Sequence, residues 1–206
     1  MKDILKYFDA LNEDQIRKIE QLHDLYLFWN EKINLISRKE MPYLYPRHIL
    51  HSLSIARVFD FAPNTKIIDI GTGGGLPGLP LAIYFPQVQF HLVDSIGKKI
   101  KVVNELIKEL KLENVTATQI RGEKIKDRYD FITSRAVTNL PQFFQTFKHL
   151  IANRQSNSFP NGIIYLKGGD FDDELKKLSW YYRIYLLKEI FTDNFFDTKK
   201  IVHVYK

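Results

Sequence analysis

The sequence contains no cysteine. Disulfides, thiolate zinc sites and any mechanism that needs a cysteine nucleophile are therefore excluded. No apolar run approaches the ~18 residues of a membrane-spanning helix. No two prolines are adjacent, and no segment repeats. Residues 1–15 carry Asp3, Asp9, Glu13 and Asp14, unlike the basic and then apolar start of a secretory signal. These absences point to a cytoplasmic protein that works away from membranes.

What is present fits one domain with an extension: 206 residues, 45% hydrophobic and 26% charged, enough to bury a core. Lys and Arg exceed Asp and Glu by 30 to 24, a net charge of +6. A polyanionic partner is compatible with that balance, although charge alone does not identify one.

Residues 1–60 read as a helical extension ahead of a core spanning 61–206. Leu22, Leu25, Tyr26, Trp29 and Ile33 form an amphipathic stripe, and a second helix is predicted over 49–59, after Pro42 and Pro46. From Lys66 the pattern changes to short β-branched runs at 67–70, 88–93, 115–120, 129–133 and 163–166. Helical stretches at 79–84, 98–110 and 140–151 separate them. Alternation of this kind predicts a mostly parallel sheet covered on both faces. One more helix is expected after Asp170. Residues 181–190 and 199–205 would then close the sheet as an antiparallel edge pair, and 153–161 reads as a surface loop.

The strongest local signal is Asp69-Ile-Gly71-Thr-Gly73-Gly-Gly75-Leu76-Pro77-Gly78, directly after the first strand. Glycines let the backbone approach a ligand, and the following helix start offers free N–H groups. Gly73-x-Gly75-x-x-Gly78 formally matches a dinucleotide fingerprint. Asp69, two positions before Gly71, argues for S-adenosylmethionine instead, because it can face a cationic ligand end. Asp94 ends the second strand, where an acid either holds ribose hydroxyls or caps the next helix.

Six segments, in order, carry a family resemblance: Asn34-Leu-Ile-Ser37, Arg47-His48-Ile-Leu-His51-Ser52-Leu53, the glycine loop, Asp94-Ser95-Ile-Gly-Lys98-Lys99, Ser134-Arg135-Ala136-Val137 and Leu166-Lys167-Gly168. Together they resemble the RsmG (GidB) family, bacterial guanine-N7 methyltransferases of small-subunit ribosomal RNA. The resemblance covers nearly the whole chain and is looser from 139 to 206. It implies an α/β, class I (Rossmann-like) methyltransferase fold, with a mostly parallel seven-stranded sheet and the helical extension. It also implies S-adenosylmethionine as donor and 16S ribosomal RNA, or the small subunit, as partner to a monomer. Gly71, Gly73 and Leu76 would then lie along the methionine and ribose of the cofactor. Asp94, with Ser95 beside it, would hold the ribose, and Gly122 and Glu123 would flank the adenine. Arg135 would reach the cofactor's carboxylate or the RNA. Two departures stand out: His51 occupies an aspartate position, and Gly122 a variable one.

For the RNA, Lys98, Lys99 and Lys101 offer either phosphate contacts or a solvated helix face. Arg47, His48 and Lys167 are further candidates, against plain surface charge. Arg135 is alternatively a structural ion pair with Asp130. His48 and His51 share a spacing suited to a metal, but no third ligand suggests itself. Without cysteine, methylation of pyrimidine C5 is closed. The Asn/Asp-Pro-Pro-aromatic loop that grips an exocyclic adenine amine is also missing. Transfer to guanine N7, which carries a free lone pair, needs no general base. Two other acceptors remain open, a small molecule or a protein, as does a nucleotide-dependent oxidoreductase.

Overall fold

The computed structural model describes residues 1–135 and 138–206. Among these residues lies a seven-stranded sheet of order β3-β2-β1-β4-β5-β7-β6. Its strands are β1 (Lys66–Ile70), β2 (Gln89–Asp94), β3 (Val115–Gln119), β4 (Phe131–Arg135), β5 (Gly162–Gly168), β6 (Tyr181–Leu186) and β7 (Lys199–Tyr205). Neighbours among β1 to β5 pair in parallel, and β7 runs antiparallel between β5 and β6. The order reverses at β1 and β4, so the binding crevice of such a sheet opens beyond the carboxyl ends of those two strands.

Side chains alternate across the sheet, as the two-residue period of a strand requires. Ile67 and Leu92 enter one core, Ile68, Ile70 and Val93 the other. Helices α4 (Gly78–Tyr84) and α5 (Gly97–Glu109) cover the first face, and α6 (Leu140–Phe147) covers the second with Phe143, Phe144 and Phe147. The expected helix after Asp170 shortens to one turn, α7 (Asp172–Leu175).

The extension joins the first core. It contains α1 (Lys2–Leu5), α2 (Glu13–Asn30) and α3 (Leu50–Leu53). Asn12 and Gln15 start α2 with a reciprocal cap of 2.9 and 3.0 Å. Ile19, Leu22, Tyr26 and Asn30 form its buried face. The helical reading of 1–60 breaks at 31–40, because the Asn30 side chain bonds Leu35 and Ile36 backbone groups and folds a loop there. Helix resumes with a 3₁₀ turn, Met41–Tyr43, and continues from Leu44, earlier than the predicted 49, with Pro46 inside it. A proline lacks the N–H and crowds the carbonyl four residues back. The chain meets this with a π-helical turn, Leu44–Ile49, in which the Leu50 N–H reaches Tyr45.

Residues 153–161 hold no regular structure but are partly tied down. Asn157 accepts from the Ala62 N–H at 2.8 Å, and Asn161 donates to the Arg154 carbonyl at 2.7 Å.

Candidate functional site

The glycine loop turns directly off β1. Gly73 sits at φ +60°, and a Cβ there would meet only the Gly71 carbonyl, at 4.0 Å. Its backbone is thus both left-handed and open towards the crevice. The Gly73 N–H donates to Asp94 Oδ2 at 2.9 Å, and the Ile96 N–H to Asp94 Oδ1 at 2.9 Å. Asp94 therefore locks the glycine loop to the start of α5. Each of its oxygens retains capacity for a second donor.

Asp69 does not face a ligand. It is fully buried, and its carboxylate accepts from Thr72 Oγ1 (2.5 Å), the Gly78 N–H (3.2 Å) and Thr133 Oγ1 (3.2 Å). Burial pushes its pKa up to about 6, opposed by those hydrogen bonds. The residue is a buckle beneath the loop, which corrects the sequence reading.

Above β3, the Ile120 N–H donates to the Asp94 carbonyl at 3.1 Å. Gly122 begins a 3₁₀ turn packed so closely that a Cβ would lie 2.7 Å from Phe147 and 3.2 Å from Ile70. Gly122 thus packs on Ile70, the residue before Gly71, and the chain leading to it is tied to Asp94. Ser95, Ile96 and Glu123 are exposed, whereas Leu76 is buried under the loop. The exposed Ile96 was missed; an apolar residue between Ser95 and Gly97 was its sequence signal. Tyr26 was read only as part of a core stripe. Its hydroxyl donates to the Gly74 carbonyl at 2.7 Å, so the extension grips the loop.

Beyond β4 and β5 lies a cavity of about 350 Å³ lined by Arg47, His48, His51, Arg135, Lys167 and Lys199. Four predicted RNA residues meet here from three parts of the chain: Arg47 and His48 on the π turn, Arg135 at the end of β4, Lys167 near the end of β5. Lys98, Lys99 and Lys101 are not among them; they lie on the first turns of α5. Ala136 and Val137 of the motif around Arg135 fall outside the described residues. Glu40, Lys199 and Phe195 also join the cavity, though nothing local in the sequence marked them.

Charge in the cavity is only partly balanced. Glu40 Oε1 lies 3.2 Å from Arg47 Nη1, and Glu174 Oε2 lies 2.9 Å from Lys167 Nζ. Lys199 Nζ stands 4.8 Å over the Phe195 ring. Arg135 is half-buried and has no hydrogen bond or ion pair among the described residues. The alternative of a pair with Asp130 fails, since that carboxylate sits at the other end of β4, accepting from the Lys66 N–H at 2.8 Å. Burial lowers the Arg135 pKa, offset by Tyr26 and Asp69. Burial, with Arg135 adding to it, holds His48 down at about 4; burial likewise holds His51 well below its ordinary value. The described residues contain no group of three His, Asp or Glu suited to a metal. A larger open groove of about 1120 Å³ runs past Lys66, Gln89 and Val115, at the amino ends of the strands and away from the glycine loop.

A family model described as GidB, rRNA small subunit methyltransferase G, matches residues 15–200. The chain is 52% identical over 204 residues to the ribosomal RNA small subunit methyltransferase G of Flavobacterium johnsoniae, covering 99% of this chain and 97% of that protein. It is 54% identical over 199 residues to the protein of that name from Christiangramia forsetii, covering 97% and 94%. Among solved structures, a complex of MtNAS with S-adenosylmethionine aligns with TM-score 0.60 at 14% identity, covering 93% of this chain and 76% of that one. A chain of a fibrillarin/Nop5p complex aligns at 0.56 and 12%, covering 74% and 78%. At these identities the structural likeness shows the fold, a Rossmann-like methyltransferase sheet.

Proposed function

The chain belongs to the GidB family, rRNA small subunit methyltransferase G, and from that premise we propose that it methylates N7 of a guanine in 16S ribosomal RNA. The donor of this family is S-adenosylmethionine, which supplies an electrophilic methyl group when bound. The observation that carries the reading is the meeting of Arg47, His48, Arg135 and Lys167 in one cavity at the carboxyl ends of the strands, on the side of the glycine loop.

The residues suit that cofactor. Gly71 and Gly73 leave the crevice open, and Leu76 supports the loop from below. Asp94 offers spare acceptor capacity to ribose hydroxyls, with Ser95, Ile96, Gly122 and Glu123 around it. The uncompensated Arg135 suits a carboxylate or a phosphate. Guanine N7 needs no deprotonation, so the protein's work is to align the two reactants and exclude water. N7 lies in the deep groove of A-form RNA, so the target is a guanine in a loop, a bulge or an extruded position. Arg47 and Lys167 would hold its backbone, with Lys98 and Lys99 as outlying contacts. The 1–60 extension would act with the 61–206 core as a monomer. Among the described residues no helix is long and apolar enough to cross a membrane.

The test supplies labelled S-adenosylmethionine and purified enzyme to an extract of cells lacking it, then separates RNA, protein and small molecules. Label confined to small-subunit RNA is expected. Label in the protein or small-molecule fraction would move the acceptor elsewhere.

A further inference from the structure

His51 is 6% exposed and lines the cavity, and its Nε2 has no hydrogen-bond partner among the described residues. A buried polar atom left in this way is destabilising unless a ligand completes it. The ring's fit is explained by the edges of Phe195 and Phe196, at 5.7 and 6.1 Å; the nitrogen is not. We propose that the cavity takes the purine to be methylated and that His51 reads its hydrogen-bonding edge, an inference that rests on the guanine methylation proposed above.

The other groups here are mostly donors. Arg47, Arg135, Lys167 and Lys199 carry N–H groups and no acceptor. Glu40 is engaged by Arg47 at 3.2 Å and faces His48 at 3.4 Å. The Tyr165 hydroxyl donates to the Thr138 carbonyl at 2.7 Å, and the Thr138 hydroxyl to Gln142 at 3.1 Å. Besides His48, whose two ring nitrogens are likewise unpartnered among the described residues, His51 supplies the neutral acceptor that remains. Burial, then the charges of Arg135 and Lys199, keeps its imidazole unprotonated.

With N7 turned to the methyl donor, guanine offers O6 as an acceptor and N1–H as a donor. Adenine offers the reverse, an amino group and a bare N1. Cationic donors beside O6 and a neutral acceptor beside N1–H therefore select guanine. Adenine would put its amino group against the cations and its N1 lone pair against His51. A volume of about 350 Å³ is within the range of roughly 300–1,000 Å³ usual for small-ligand sites.

The experiment compares the full chain with His51→Leu and His51→Gln on unmethylated small subunits reconstituted with guanosine or adenosine at the mapped target. His51→Leu should lower kcat/KM on guanosine roughly 10- to 100-fold and narrow the preference over adenosine. Cofactor affinity should not change, and His51→Gln, which keeps an acceptor, should recover most of the loss. Wild-type kcat/KM and discrimination in His51→Leu would overturn the inference, as would a parallel loss of cofactor binding, which marks a structural role. A wild-type enzyme that binds cofactor yet methylates no RNA would overturn the function itself, and the inference with it.

Discussion

The hydroxyl of Tyr26 lies 2.7 Å from the carbonyl oxygen of Gly74, so the N-terminal extension holds the loop on which the cofactor is proposed to rest. Both groups are buried. Tyr26→Phe keeps the packing and leaves that carbonyl without its donor, a cost of about 1–2 kcal/mol. Thermal unfolding should show this loss, and calorimetry a weaker affinity for S-adenosylmethionine. A variant equal to wild type in both would show that the contact carries neither stability nor binding.

Asp94 accepts two backbone N–H groups, from Gly73 and Ile96, and is proposed to accept ribose hydroxyls as well. Asp94→Ala should raise the cofactor dissociation constant by about 10- to 100-fold, since acceptor and loop geometry go together. Unchanged affinity in a folded Asp94→Ala protein would remove the ribose role.

Arg47→Ala and Lys167→Ala should weaken small-subunit binding and each reduce the slope of log affinity against log salt by about 1. Cofactor affinity should stay constant. The same measurement on Lys98→Ala and Lys99→Ala decides whether the RNA extends over α5. Slopes unchanged in the cavity variants and lowered in the α5 variants would move the RNA path to that helix.

His203 is buried, and burial holds its folded pKa at about 4 against an ordinary 6.5. Between those values the unfolded chain is protonated while the folded chain is not. Stability from this group is therefore present above about 6.5 and lost as pH falls towards 4, by up to about 3 kcal/mol. Asp69, raised to about 6, works the other way, since its contribution is lost as pH rises through that value. His203→Phe, facing Phe59 at 5.2 Å, leaves Asp69 in place and isolates the histidine. Urea unfolding should show a flatter decline on acidification in the variant; equal slopes would contradict the assignment.

The parts legible in the sequence were those set by local chemistry. β-branched runs marked β1 to β5, and the glycines after Ile70 marked the loop. Arg47, His48, Arg135 and Lys167 lie in separate sequence segments and converge in the fold. What escaped depends on contacts distant in sequence. Asp69 reads as exposed to ligand until Thr133 and Gly78 are seen around it. Pro46 reads as a break until a wider turn accommodates it. Glu40 and Lys199 carry no local mark in the sequence and join the site only where β7 and the loop after α2 meet over one cavity. His51 differs again: its residue type was visible, but the unpartnered nitrogen appears only once Phe195 and Phe196 close around the ring.

The central claim is that the glycine loop and the cation-lined cavity form one site for methylating a guanine of small-subunit RNA. Its most direct test digests RNA from unmethylated small subunits after incubation with enzyme and labelled S-adenosylmethionine, and identifies the labelled nucleoside by mass spectrometry. The account predicts 7-methylguanosine, formed much more slowly by Asp94→Ala and by Arg135→Gln at limiting S-adenosylmethionine. Label in another nucleoside, or 7-methylguanosine formed at the wild-type rate by both variants, would contradict it.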